Sequence, residues 1–372
     1  MQGLRLVPRV FMFDTFKEFA DDFKIGKRDL LITNEELYGA FAGPAGIETN
    51  VMYRGKYGAG EPTDAMIDAM AKDVKKYDID RIIAFGGGAV IDICKILALD
   101  VPEKSVDLFT GKAAPKKIRQ LIAVPTTCGT GSEVTNVAIA ELIELNVKKG
   151  LAVDELYADF AVLIPETMNG LKHKFFITSS IDALIHAIES FLSPKATPFT
   201  EIFSLRAIEI IMAGYKEIAE KGEDERFKHL KEFMIASTYA GIAFGNAGCA
   251  AVHALSYSIG GAFHVPHGEA NYQFFTEVFK MYKRKKPEGK IKEATKLFAG
   301  FLGCSPESDV YGELETFLNK LITKKQLREY GMAERQIDEF TDLTIANQQR
   351  LLGNNYVFLD RGEIREIFAN LY

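Results

Sequence analysis

The chain has 372 residues, 47% of them hydrophobic and 26% charged, with a formal net charge of −6. That length supports a full core and two domains, and the acidic balance excludes a general pull toward nucleic acid or an anionic membrane. Cys94, Cys128, Cys249 and Cys304 form no C-x-x-C pair, which argues against a disulfide framework and fits a reducing, cytoplasmic setting.

The opening stretch, MQGLRLVPRVFMFD, is interrupted by Arg5 and Arg9. It lacks the apolar segment and cleavage site of a secretory leader. No apolar run approaches the roughly 20 residues that span a bilayer. Short apolar runs rich in β-branched residues then follow: Asp29–Thr33, Arg81–Phe85, Leu121–Pro125 and Phe160–Pro165. Helical patterns separate several of them. One starts at Pro62 and Thr63, with Ala65, Met66, Ile67, Met70 and Val74 along an apolar stripe. Alternation of this kind predicts a parallel sheet covered by helices on both faces.

Two loops in this half suit a nucleotide. After RIIAF come Gly86, Gly87 and Gly88, then a helical AVIDICKILAL. Glycines admit a close backbone approach, and a helix N-terminus offers free N–H groups to a pyrophosphate. The G-x-G-x-x-G fingerprint is absent, so a tight structural turn fits equally well. Asp92, one turn into that helix, can fix a ligand, fix a loop, or face solvent. The second loop, PTTCGTGSEVTN (Pro125–Asn136), follows another strand and presents Thr126, Thr127 and Thr130 beside Gly129 and Gly131. Such a loop suits the crevice at the carboxyl edge of a parallel sheet; the alternative is a plain Gly/Ser/Thr surface loop.

From about Phe175 long helical patterns take over: EIFSLRAIEIIMAGYKEIAE, FKHLKEFMIASTYAGIAFGN, KIKEATKLFAGFLG and TFLNKLIT. Asp182 and His186 lie four apart in SSIDALIHAIES, which places them on one helix face. His253 and His267 follow in AVHALSYSIGGAFHVPHGEAN. One carboxylate and three imidazoles suit a borderline divalent metal such as Fe(II), Zn or Ni. His173 and His229 sit in polar, Lys-rich surroundings and are expected at the surface. The expected fold class is α/β plus all-α: a Rossmann-like parallel-sheet dinucleotide domain over residues 1–170 and an all-helical metal-binding domain over 171–372, with a cleft between them.

The stretches GGGAVIDICK, PTTCGTGSEVTN, SSIDALIHAIESF and HALSYSIGGAFHVPHGEAN together resemble the iron-containing (group III) alcohol dehydrogenases over nearly the whole chain. KYGAGEPTDAMI, LREYGM, HVPHGEANY and QQRLLGNNY are similar to the branch of that family that oxidises 4-hydroxybutyrate. The resemblance implies reversible hydride transfer between NAD and a small substrate, 4-hydroxybutyrate or succinate semialdehyde, with Fe(II) most expected and Zn an option. It implies metal ligands at Asp182, His186, His253 and His267. It implies cofactor contacts at Gly87, Gly88, Ala89, Asp92, Thr126, Thr127, Thr130 and Lys149. It also implies a homodimer or higher homo-oligomer, with no nucleic acid or membrane partner.

Three positions depart from the family pattern. Ala89 stands where a serine is usual. Asn34 occupies the strand-end position of the acid that holds the adenosine ribose. Tyr257 replaces a second histidine four residues after His253. His264 is the first candidate for a proton path and Tyr257 the second. A substrate carboxylate needs a cation or a cluster of donors; Arg350, Asn354, Asn355 and Tyr257 are the candidates. Other readings are a general short-chain alcohol or diol dehydrogenase, of the 1,3-propanediol or lactaldehyde type, and a lyase resembling the dehydroquinate synthases. A purely structural metal site is disfavoured because such sites are usually rich in cysteine.

Overall fold

The computed structural model describes residues 3–145 and 147–372. The chain packs as two compact units, Leu6–Leu171 and Lys172–Tyr372, the latter joined by the N-terminal segment up to Arg5.

The first unit is built on six parallel strands: β1 (Arg9–Met12), β2 (Asp29–Thr33), β3 (Asn50–Tyr53), β4 (Arg81–Gly86), β5 (Gln120–Pro125) and β8 (Phe160–Leu163). Their order across the sheet is β1-β8-β5-β4-β2-β3. Strands β6 (Val137–Leu142) and β7 (Val147–Ala152) form a separate antiparallel hairpin. Side chains alternate across the central strands, so each face buries its own core. Leu30, Ile32, Ile82, Ala84, Leu121 and Ala123 point to one side, where helices α2 (Asp64–Val74) and α3 (Gly88–Leu97) cover them. Leu31, Ile83, Phe85, Ile122 and Val124 point to the other, against Phe16 and Phe19 of α1 (Phe16–Asp22). Thr63 caps α2 by accepting from the Met66 N–H, as the Pro-Thr start predicts. The four predicted strands are present within a residue or two. Strands β1 and β3 and the hairpin were not foreseen.

Chain direction across the sheet reverses between β2 and β4. The connection from β2 leads outward to β3, whereas that from β4 leads the other way to β5. In open parallel sheets the crevice outside the carboxyl ends at such a reversal is where ligands bind. Asn34, Gly87 and Thr126 directly follow the ends of β2, β4 and β5, which are neighbours in the sheet.

The second unit is helical, led by α4 (His173–Leu192), α5 (Pro198–Lys221), α6 (Leu230–Ala247), α7 (Ala251–Phe263) and α8 (His267–Lys285). Helix α4 packs against α5, α6 and α8, and 16 of its 20 residues are buried. It is long and apolar enough to cross a bilayer, but 89% of its apolar stretch lies inside the packed unit, as befits a core helix. Helix α9 (Lys290–Leu302) matches its predicted pattern, whereas α10 (Val310–Leu318) stops before the end of TFLNKLIT. Asn319 ends it: its side-chain oxygen accepts from the Lys324 N–H and closes the turn. His173 and His229 are partly buried rather than surface residues, and the His173 ring bonds the Leu321 carbonyl.

Candidate metal centre and dinucleotide loops

Helices α4, α7 and α8 bring Asp182, His186, His253 and His267 together, with one donor atom from each within 4.8 Å of all the others. Asp182 Oδ1 lies 3.7 Å from His253 Nε2 and 3.8 Å from His267 Nε2, and Oδ2 lies 3.9 Å from His186 Nδ1. This spacing is close to that of donors around a cation with bonds of roughly 2.0–2.2 Å. Asp182, His186 and His253 are buried. Burial by itself would raise the Asp182 carboxyl, but His186, His267 and His253 outweigh it and hold the group below the usual carboxylate range.

The local folding explains the convergence. Between α6 and α7 the chain bends by 105°. Gly248 makes that turn at φ +80°, where a Cβ would also come within 2.9 Å of the Asn354 amide. Glu189, on α4 one turn beyond His186, then caps α7. It accepts from Ala250 N at 3.0 Å and Val252 N at 2.7 Å, and its Oε2 lies 2.6 Å from His253 Nδ1. A carboxylate on Nδ1–H fixes the imidazole tautomer and leaves the Nε2 lone pair free to ligate. His253 Nε2 is indeed buried without a hydrogen-bond partner. Burial would lower the His253 pKa, but Cys249 and Glu189 beside it drive it well upward.

At the other end of α7, His264 adopts a left-handed conformation (φ +52°) and turns the chain into α8. His267 is the first residue of that helix. Gly268 follows in tight contact with α4: a Cβ there would collide with the Thr178 carbonyl and lie 3.3 Å from Asp182 Cβ. Asn271, one turn on, donates to Asp182 Oδ1 at 2.7 Å and lies 3.2 Å from His267 Nε2. The buried acid, the three imidazoles and the unpartnered Nε2 fit a first-row divalent metal.

Glu189, Cys249 and Asn271 escape the sequence reading. Their spacing was available for two of them: Glu189 is three residues beyond His186, and Asn271 four beyond His267, each on its ligand's helix face. Cys249 belongs to no motif in the sequence. Its sulfur sits within 4.8 Å of donor atoms of Glu189 and His253. Burial would raise this thiol, but His253 and His186 pull it below the usual range. The substrate-carboxylate candidates fare differently. Asn354 is buried and committed, donating to the Ala247 and Cys249 carbonyls and accepting from Ser193. Asn355 accepts from the Tyr282 hydroxyl, and Arg350 is exposed. Tyr257 is half-buried, its ring 6.0 Å from that of His267; His264 is exposed.

In the sheet unit the two loops interlock. Thr126 N donates to the Gly86 carbonyl at 3.1 Å. A Cβ on Gly88 would lie 2.6 Å from Thr130 Cγ2, so glycine lets the Thr130 side chain pack this close to the turn. Gly87 caps α3 without a side-chain hydrogen bond, which leaves the first N–H groups, including that of Ala89, available to an anion. Thr127 and Thr130 are half-buried beside this turn. Asn34 is exposed beyond β2. Lys149 belongs to the hairpin, exposed and opposite Ala140. Of the three roles open to Asp92, the structure displays the second: its oxygens accept from Ser132 Oγ at 2.5 Å and Ile139 N at 2.9 Å.

Residues 8–165 match the family described as iron-containing alcohol dehydrogenase, and residues 176–372 match the Fe-containing alcohol dehydrogenase family, C-terminal. The chain is 54% identical over 372 residues to a 4-hydroxybutyrate dehydrogenase of Clostridium kluyveri, covering 100% of each. It is 32% identical to long-chain-alcohol dehydrogenase 1 of Geobacillus thermodenitrificans, over 81% of this chain and 76% of that one. Among solved structures, an alcohol dehydrogenase from Oenococcus oeni superposes with a TM-score of 0.86 over 100% of both chains at 19% identity, a likeness of fold alone. The chain belongs to the iron-containing alcohol dehydrogenase family.

Proposed function

We propose that the chain is an NAD-dependent 4-hydroxybutyrate dehydrogenase, interconverting 4-hydroxybutyrate and succinate semialdehyde. The observation that carries the reading is the buried carboxylate–triple-imidazole cluster with an unpartnered His253 Nε2. The substrate rests on the full-length likeness to the Clostridium kluyveri enzyme. In this reading Asp182, His186, His253 and His267 hold a divalent metal, Fe(II) before Zn, which when bound supplies Lewis acidity toward the substrate oxygen. Glu189 keeps His253 in the ligating tautomer. Lys172–Tyr372, with the N-terminal segment up to Arg5, form the metal and substrate domain, and Leu6–Leu171 the NAD domain.

NAD is taken at the β2/β4 reversal. Gly87, Gly88 and Ala89 would take its pyrophosphate and Asn34 its ribose, with Thr126, Thr127, Thr130 and Lys149 contributing from the loop and hairpin. Tyr257, close to His267 on α7, is the nearer candidate for handing a proton onward, with exposed His264 at the solvent end. The test follows NADH absorbance with succinate semialdehyde, butyraldehyde and 3-hydroxypropionaldehyde on protein purified without air. Succinate semialdehyde is expected to be preferred by about 10-fold or more in kcat/KM, the worth of one charge-assisted contact to its carboxylate. Equal rates on all three would refute the substrate assignment. Chelation followed by Fe(II) or Zn(II) identifies the active ion.

A homodimer is proposed as well. Among the described residues, strand β1 is an edge strand bonded only to β8, and Leu6, Val7, Val10 and Met12 on and beside it are exposed. Such an edge is a ready template for another chain. Light scattering should give twice the monomer mass, and charged substitutions at Val10 and Met12 should return a monomer. A monomeric wild type at micromolar concentration contradicts this.

A further inference from the structure

Asn354 is buried just past the short helix Gln349–Leu352, far along the chain from every proposed metal ligand. Its whole side-chain amide is engaged. One N–H donates to the Ala247 carbonyl at 2.9 Å and the other to the Cys249 carbonyl at 3.1 Å. Its oxygen accepts from Ser193 Oγ at 3.1 Å, and that hydroxyl also lies 2.6 Å from the Ala247 carbonyl. An asparagine amide has two N–H donors, so neither is left for a substrate.

The partners lie where three segments meet. Ser193 is the residue on which α4 ends, Ala247 is the last residue of α6, and Cys249 lies in the link to α7. The last carbonyls of a helix have no partner within it; that of Ala247 finds two on distant segments. Asn354 thus ties the end of α4 to the bend between α6 and α7. Gly248, inside the bend, leaves the room: its Cβ would come 2.9 Å from the Asn354 amide nitrogen. The bend in turn governs two imidazoles. Phe244, three residues before Ala247, stacks on the His186 ring at 4.2 Å between centroids and 15° between planes. His253, four residues past Cys249, stacks on His186 at 4.5 Å. Any shift of the bend would move both rings against α4, which carries Asp182 and His186.

We infer that Asn354 is a positioning residue for the metal centre: without touching the ion, it fixes the 247–249 bend against the end of α4, and with it the spacing of His253 from Asp182 and His186. The inference rests on the reading that the four-residue cluster holds a divalent metal. Its test titrates Co(II), whose visible absorption reports ligand geometry, into metal-free wild type, Asn354→Ala, Asn354→Asp and Ser193→Ala. Fe(II) affinity against graded chelator, NADH affinity and the thermal midpoint of the metal-free protein are measured alongside. Asn354→Ala is expected to weaken Co(II) and Fe(II) by about 10-fold or more, the usual scale for a lost outer support, and to alter the Co(II) bands at saturation. Asn354→Asp keeps the shape but has no hydrogen for either carbonyl, so it should behave like Asn354→Ala. NADH affinity should stay within about 3-fold of wild type, because its loops lie in the other unit.

A folded Asn354→Ala with a lower metal-free midpoint but wild-type metal affinity and Co(II) bands overturns the inference, since packing alone would give that result. So does an Asn354→Asp that binds metal like wild type, or an NADH affinity lost as severely as the metal. Should neither Asn354 variant fold, Ser193→Ala decides the matter. It removes the link to α4 and should weaken Co(II) by about 3-fold or more; unchanged affinity overturns the inference. A wild type that binds neither Co(II) nor Fe(II) overturns the metal reading and this inference with it. Wild-type binding beside unaffected variants overturns the inference alone.

Discussion

Glu189→Gln is expected to weaken metal binding by about 10- to 100-fold, the usual effect of losing an outer carboxylate behind a ligating histidine. Glu189 is almost completely buried and faces three donors: the Ala250 and Val252 N–H groups and His253 Nδ1. A glutamine has one acceptor oxygen, and its NH2 would point at one of those donors. Leaving a buried donor unpaired costs on the order of 1–3 kcal/mol, so the thermal midpoint should fall as well. The His253 proton is then free to move to Nε2, which removes the lone pair from the ligating position. Dialysis against graded chelator followed by elemental analysis gives the affinity directly. Equal metal retention by wild type and Glu189→Gln would show that the ring does not depend on this carboxylate.

Asp182→Asn should be harsher, with kcat/KM lower on the order of 10³-fold, as when one partner of a buried charged cluster is removed for ~4 kcal/mol. Asp182 is the sole carboxylate in the four-residue set, and it accepts the Asn271 amide. An asparagine there meets the Asn271 NH2 with its own and leaves three neutral rings to hold a doubly charged ion. Excess metal separates the two variants. It should restore much of the Glu189→Gln activity, because that change only weakens binding, and little of the Asp182→Asn activity. Activity in Asp182→Asn above a tenth of wild type at ordinary metal levels would remove the residue from the centre.

Much of this was legible in the sequence because local periodicity carries it. The i, i+4 pair Asp182/His186 announces a helix face, and the strand–glycine–helix run around Gly86 to Gly88 announces a turn able to approach an anion. Strands β1 and β3 were missed because each is four residues long and sits at a sheet edge, so neither shows the continuous apolar run of a strand buried on both faces. The pairing of Glu189 with His253 depends on the bend at Gly248, across 64 residues of chain. No local pattern contains such a contact. Asn354 was misjudged for the same reason. Its partners Ala247 and Cys249 lie over a hundred residues upstream, so its amide looked available for a substrate when it was already engaged.

The contact at Gly268 bears on any attempt to redesign the enzyme. There α8 lies so close to α4 that a Cβ would meet the Thr178 carbonyl and Asp182 Cβ, and His267 is the residue immediately before Gly268. Adding even one methyl group would spread the two helices and widen the grip on the ion, whatever benefit it brought elsewhere. Variation aimed at new substrates is therefore better spent around Tyr257 and the α7–α8 turn. There Tyr257, Phe263, His264 and Pro266 are half-buried or exposed, with Val265 alone of the turn buried, and the crossing of the two helices need not move.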